Sequence, residues 1–251
     1  MLHNFAPSPV DEEANEEINA LIDAALEADN NREKKREYLG GSRLGVECSR
    51  ALYYEYNQVP TDDIPFSGKA IRRFRMGHIH EDETAAWLIK AGFDLRTHKA
   101  DGGQFGFMVA NGKIRGHIDG VILSGPPIAG LKYPCLWEHK IMKSSKYKDF
   151  KKNGIKKANF VYYGQCQIYM TYMSPVLNME LDTALFTALD TDTSQLGFEV
   201  LPHDAGTAQR LSDKGVMIIK AKHEDLAPKV ARESTDFRCK WCNWKERCWN
   251  L

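Results

Sequence analysis

The sequence sets a glutamate and a lysine into a short apolar run, LWEHK at residues 136–140, and few folds accommodate that. Successive side chains of a strand point to opposite faces. Leu136, Glu138 and Lys140 would therefore share one face, with Trp137 and His139 on the other. Asp119 closes a second apolar run, GHIDG, nineteen residues before Glu138. The Gly/Pro-rich stretch SGPPIAGLKYP lies between them, so two neighbouring strands would bring Asp119 beside Glu138 and Lys140. One reading of the pair is an exposed cross-strand ion pair, contributing about 0–1 kcal/mol. The other is chemical. Two close carboxylates near an apolar core repel and need a compensating charge. A divalent cation such as Mg²⁺ supplies it, prefers oxygen ligands and keeps water in its shell. Such water is a better nucleophile, and the metal neutralises charge on a phosphate. Lys140 would then hold or deprotonate the water, or steady the phosphate.

Around this pair the chain reads as mixed helices and strands. Ile18, Leu21, Ile22, Ala25 and Leu26 follow helical spacing, with acids early and REKKRE late, as the helix dipole prefers. YLGGS then breaks the chain at Gly40 and Gly41. Residues 1–40 are read as an acidic amphipathic helical extension and 41–251 as the core. Ser42 is a candidate N-cap for a helix through RLGVECSRALYYEYN, and a longer helix over about 69–91 closes at Gly92. Strands are expected in GQFGFMVA, KIRGHIDGVIL, LWEHK, LDTALFTALDT and LGFEVLP, and further helices over 158–173 and 205–223.

The order Asp119, Glu138-x-Lys140 resembles the core motif of the PD-(D/E)XK nuclease superfamily. Gln165 and Tyr169, in QCQIY on the following helix, resemble the Gln-x-x-x-Tyr motif of its RecB-like exonuclease branch. Four residues apart, they share a helix face with Tyr162 and Tyr172 beside them. RMGHIHEDE at 75–83 resembles that branch's first motif, Gly-x-x-x-His or Gly-x-x-x-Glu. Spacing from Gly77 favours Glu81, and periodicity agrees, because Ile71, Phe74, His78, Glu81, Ala85 and Leu88 form one stripe. His80 is the alternative. A glutamate here looks more like the phage lambda exonuclease and its relatives.

The resemblance implies an α/β (α+β) fold: a restriction-endonuclease-like core with a mixed central sheet flanked by helices. It also implies a metal-dependent DNA exonuclease that hydrolyses phosphodiester bonds in recombination, repair, phage replication or end processing. Asp119, Glu138 and Glu81 would bind Mg²⁺ or Mn²⁺. Lys140 would assist the water, and Gln165 and Tyr169 would contact the metal-bound strand or its phosphate. The alternative is a non-catalytic module that holds DNA or a partner, for example within a CRISPR-adaptation-like complex.

The C-terminus reads CKWCNWKERCW, placing Cys239, Cys242 and Cys248 in a C-x₂-C-x₅-C pattern. A soft-metal site needs a fourth ligand, no histidine lies near, and Cys48 is the distant candidate. One N-terminal cysteine and a C-terminal triplet bracketing a RecB-like core resemble the iron–sulfur exonucleases, which include the CRISPR-associated RecB-like family, the AddB-type nucleases and phage relatives. In those the cluster joins the two ends of the chain, and by that resemblance this one would be 4Fe–4S. Four thiolates suit Zn²⁺ as well. Cys135 and Cys166 read as ordinary buried thiols.

Net charge is zero, but the charges are segregated: residues 11–29 hold eight acidic groups and no basic ones, and residues 143–157 hold seven lysines and one aspartate. Lys143, Lys146, Lys148, Lys151, Lys152, Lys156 and Lys157 would follow a DNA backbone, or simply solvate a helix face. The acidic helix is a candidate docking element for a protein partner, and a homo-oligomer is allowed. No apolar run approaches the ~20 residues of a membrane span, and the N-terminus lacks a signal-peptide pattern. The expectation is a cytoplasmic, reducing setting, in which six cysteines are not a disulfide framework.

Overall fold

The computed structural model describes residues 10–33, 36–62 and 66–250, so the first nine residues of the N-terminal extension lie outside the described part. The chain runs through helix α1 (Glu12–Arg32), strand β1 (Leu39–Gly40), α2 (Ser49–Tyr56), α3 (Gly68–Lys90), β2 (Leu95–Arg96), β3 (Gly106–Val109), β4 (Ile114–His117) and β5 (Gly120–Ile122). It continues through β6 (Cys135–Met142), α4 (Ser144–Asn153), α5 (Ile155–Ala158), α6 (Phe160–Leu177), β7 (Thr183–Asp190), β8 (Leu196–Pro202), α7 (Ala205–Lys220) and α8 (Lys245–Trp249).

These elements build a mixed α/β fold with two mixed sheets flanked by helices. The larger sheet has the order β2-β5-β6-β7-β8, with β6 and β7 parallel and the other neighbours antiparallel. A parallel pair needs a crossover, and α4, α5 and α6 supply it. Every residue of β7 is buried, which is why TALFTALD reads as a nearly continuous apolar run. The buried residues of α6 join Leu136 and Phe186 in one core layer, while Ala85 and Leu88 of α3 join Trp137 and Leu185 in the other. The two faces of β6 are thus covered by different helices.

The smaller sheet, β1-β4-β3, rests on α6 through Phe107, whose ring centroid lies 5.5 Å from that of Tyr169 and 5.0 Å from that of Tyr172. The stretch KIRGHIDGVIL is therefore not one strand. Its first half pairs in the small sheet and its second half in the large one, and Asp119 sits at the switch.

Three further departures have local causes. The helix expected from Ser42 begins only at Ser49; a 3₁₀ turn over Gly41–Arg43 precedes it. Gly45 explains the delay: a Cβ there would meet Val161 Cα at 2.6 Å, so the chain passes flat against α6 before α2 can start. The lysine-rich segment is two helices, parted at Gly154, whose φ of 72° is one glycine adopts readily. On α3, Ile71, Ala85 and Leu88 of the apolar stripe are buried, but Phe74 and His78 are exposed, because the helix runs on beyond the core layer it covers.

No residue of α1 is buried, and Ile18, Leu21 and Ile22 face solvent. The helix lies along the start of α3, where Asp23 pairs with Arg72 and Glu27 accepts the Gly68 N–H at 2.8 Å. Among the described residues, no helix is long and apolar enough to cross a membrane.

Candidate active site

The antiparallel register of β5 and β6 sets Gly120 opposite Trp137, and this brings Asp119 alongside Glu138. Asp119 Oδ2 accepts the backbone N–H of His139 at 2.7 Å and stands 3.8 Å from Lys140 Nζ. Lys140 Nζ pairs with Glu138 Oε1 and donates to the His139 carbonyl at 2.9 Å. From α6, Gln165 Nε2 donates to the same Glu138 oxygen at 2.5 Å, and the Tyr162 ring centroid lies 5.5 Å from Lys140 Nζ. Glu138 is 0% exposed, and its second oxygen, Oε2, has no partner among the described residues. A buried acceptor left unmatched costs about 1–3 kcal/mol, more when charged.

Glu81 reaches the cluster from α3. Its side chain is 25% exposed, with His78 Nδ1 3.7 Å away. Burial and then the charge of Asp119 push its carboxyl up to about 7, against the pull of Lys140. The same two causes push Glu138 up to about 8, and Glu81 itself adds to that shift. Burial works against the ammonium of Lys140, but Glu138 and Asp119 outweigh it and hold its pKa well above the usual lysine range. Three carboxylates thus face one ammonium, an arrangement short of positive charge. His80, the other candidate on α3, acts on His139 instead.

The opposite face of β6 is structural. His139 stacks on Trp137, bonds Thr187 Oγ1 at 2.8 Å and Thr84 Oγ1 at 3.5 Å, and is held neutral as burial, then Lys140, lowers its pKa to about 3. Tyr169 is buried against Phe107; burial, then Glu138, raises its pKa. Thr84 and Thr187 carry no sequence signal for these positions, since small hydroxyl residues occur in every element type.

The donor set fits a hard divalent cation. It offers carboxyl oxygens, one of them buried and unmatched, which the cation would bind once their protons are displaced. Among the described residues no three His, Cys, Asp or Glu side chains converge closely enough to enclose an ion. The carboxylates gather around Lys140, which serves as their counter-charge.

A second cluster lies elsewhere. Cys48, just before α2, and Cys239, Cys242 and Cys248 line one cavity of about 360 Å³, with Arg50 and Lys229 in its wall. Burial raises the thiol pKa of Cys242 and Cys248; for Cys248, Lys229 and Arg50 oppose the shift. The C-terminal segment is tied to the loop after α2, where Trp244 Nε1 donates to the Val59 carbonyl at 2.9 Å and the Glu246 N–H to Asp62 at 2.8 Å. Trp241 and Trp244 both line the cavity, the first 85% exposed and the second buried. Cys135 and Cys166 are buried in the core, away from this cavity. The seven lysines of 143–157 are all exposed, while Tyr147, Phe150 and Ile155 turn inward. Lys156 alone of the seven forms an ion pair among the described residues, with Asp204 at 3.2 Å.

No family model matches the chain, and no curated protein matches it. Among solved structures, the alkaline exonuclease LHK-Exo of Laribacter hongkongensis matches with a TM-score of 0.50 and 13% identity, over 78% of this chain and 90% of that one. The same enzyme in complex with dAMP gives 0.48 and 15%, over 80% and 90%. The protein SSO0001 gives 0.47 and 17%, over 90% and 94%. At 13% identity the LHK-Exo match is one of fold, and the fold of this chain is nuclease-like.

Proposed function

We propose that this protein is a metal-dependent deoxyribonuclease, a RecB-like exonuclease of the PD-(D/E)XK kind, that hydrolyses phosphodiester bonds at DNA ends in recombination, repair, phage replication or a similar process. The observation that carries the reading is the buried Glu138 carboxylate, one oxygen unmatched, grouped with Asp119, Lys140 and Gln165. Asp119, Glu138 and Glu81 would hold Mg²⁺ or Mn²⁺, which supplies an activated water and charge neutralisation at the phosphate. Gln165 keeps the Glu138 carboxylate oriented. Lys140 steadies the phosphate while the carboxylates hold it charged. Tyr169 packs against the turn at Gly41, and the exposed lysines of 143–157 meet the DNA backbone.

Cys48, Cys239, Cys242 and Cys248 would hold a 4Fe–4S cluster, with Zn²⁺ as the alternative occupant. Their shared cavity supports this, as do Arg50 and Lys229 in its wall, which suit the negative charge of thiolate ligands. Ligand thiols must stay reduced, which suits a cytoplasmic setting.

DNA labelled at either its 5′ or its 3′ end, incubated with Mn²⁺ and compared with the Asp119→Ala variant, tests the reading. Metal-dependent loss of label by the unmutated protein alone supports it and gives the polarity. The rival, a non-catalytic DNA- or partner-binding module, draws on Lys140 already neutralising the carboxylates; it predicts DNA binding with no loss of label.

A further inference from the structure

We propose that the open face of the β1-β4-β3 sheet is a track for the DNA strand running from the active site, with Arg36 and Arg115 as its phosphate contacts and Tyr38 as the residue that arranges them. The proposal rests on DNA being the substrate.

Along β4 the side chains alternate: Ile114 and Gly116 are buried, Arg115 and His117 exposed. Asp119 keeps the same alternation two residues beyond His117, about 7 Å at ~3.3 Å per residue. The exposed face therefore runs directly into the carboxylate cluster. Beside Arg115 in the register lies Gly40 of β1, and Tyr38 precedes that strand. The guanidinium of Arg115 lies 5.1 Å from the Tyr38 ring centroid and that of Arg36 lies 6.0 Å from it. Exposed Lys113 and Met108 complete the surface.

Two guanidinium groups on one ring distinguish these arginines from Arg247, which lies alone 5.9 Å from the Tyr54 ring centroid, and from arginines held by carboxylates. Arg43, Arg50, Arg72, Arg96 and Arg238 each meet a carboxylate, which cancels their charge towards any ligand. Arg36 and Arg115 form no ion pair among the described residues. An aromatic ring attracts a cation through its quadrupole without neutralising it. Tyr38 thus orders two guanidinium groups and leaves both charges available. A guanidinium fork matches a phosphate in geometry and charge. Complementarity of charge and continuity with the carboxylate cluster commit the face to a DNA strand.

The test uses the full-length Asp119→Asn protein, which keeps the hydrogen-bonding shape of the site, with a fluorescent single-stranded oligonucleotide titrated at several salt concentrations in EDTA. Arg36→Gln with Arg115→Gln should reduce the slope of log affinity against log salt by about 1.4, from two phosphates at ~0.7 each, and weaken binding about tenfold at physiological salt. Arg36→Lys with Arg115→Lys should preserve the slope. Tyr38→Phe should bind as the parent does, and Tyr38→Ala more weakly. An unchanged slope in the glutamine pair overturns the track while leaving the nuclease reading intact. A parent protein that binds no DNA overturns both, and one that binds with the predicted slopes but whose unmutated form never cuts overturns the nuclease reading alone.

Discussion

Glu138 is the acceptor around which the site is built. It is wholly buried, held through one oxygen by Lys140 and Gln165 and unmatched at the other. Removing its ionisable group should relieve the fold where that group is charged: above about pH 8, Glu138→Gln is expected to raise the melting temperature of the metal-free protein, while Lys140→Ala, which leaves buried carboxylates uncompensated, should lower it. Both substitutions should reduce cleavage at least about a hundredfold. The pH dependence follows from the same charges. Glu81 and Glu138 are raised from 4.5 to about 7 and about 8 in the folded protein. Between about 4.5 and 8 the folded form thus holds protons that the unfolded chain has released, so stability falls as pH rises through that window. Metal must displace those protons. Thermal melts should show a metal-free melting temperature that declines from pH 5 to pH 8, and a larger stabilisation by Mn²⁺ at pH 8 than at pH 6. A metal-free melting temperature that rises over that range would contradict the assignment. On α3, Glu81→Ala should impair Mn²⁺-dependent cleavage far more than His80→Ala, because only Glu81 shares the field of Asp119 and Glu138; the reverse ranking of rates would show that His80 holds that position.

At the scale of elements, α4 and α5, parted at Gly154, present six exposed lysines, with Lys143 at the N-cap of α4 as the seventh. Replacing Lys151, Lys152, Lys156 and Lys157 by glutamine should flatten the salt dependence of DNA binding by roughly 0.7–0.9 for every phosphate those side chains neutralise. Lys156 should contribute least of the four, since Asp204 already pairs with it; an unchanged slope would make the segment a solvated face. How legible an element was depended on how local its cause is. Alternation in LWEHK is intrinsic to a strand, so the separation of Glu138 and Lys140 from Trp137 and His139 could be read in the sequence. The strand around Asp119 could not be read correctly. Its division between two sheets at His117 and Gly120 is set by which partners pair with it, and no periodicity records that. The α3 stripe was half legible: helical spacing aligned Phe74 and His78 with Glu81, but their exposure depends on where the covered core ends. The late start of α2 comes from the close approach of Gly45 to Val161, a tertiary constraint with no local signature.

At the scale of the whole molecule, the chain's N-terminal third and its last residues meet around the cysteine cavity. The fold brings all four cysteines to one cavity although most of the core lies between Cys48 and the other three. Closing so long a loop costs entropy that grows only logarithmically with its length, and metal–thiolate bonding is worth on the order of 10 kcal/mol. Cys48→Ser should therefore resemble Cys239→Ser, giving unstable protein with substoichiometric metal, whereas Cys135→Ser and Cys166→Ser should keep their metal. Protein purified without oxygen should contain iron and sulfide; one zinc and no iron would replace the cluster in the same cage. Full metal content in Cys48→Ser would remove that residue from the site. The central claim concerns the carboxylate cluster, and the rate of nucleotide release from end-labelled DNA, followed as Mn²⁺ is titrated at pH 8, tests it most directly. The account predicts no release without metal, a saturable rise with Mn²⁺ in the unmutated protein, and no rise in Glu138→Gln. Equal rates in the two proteins, or release that ignores the metal, would contradict it.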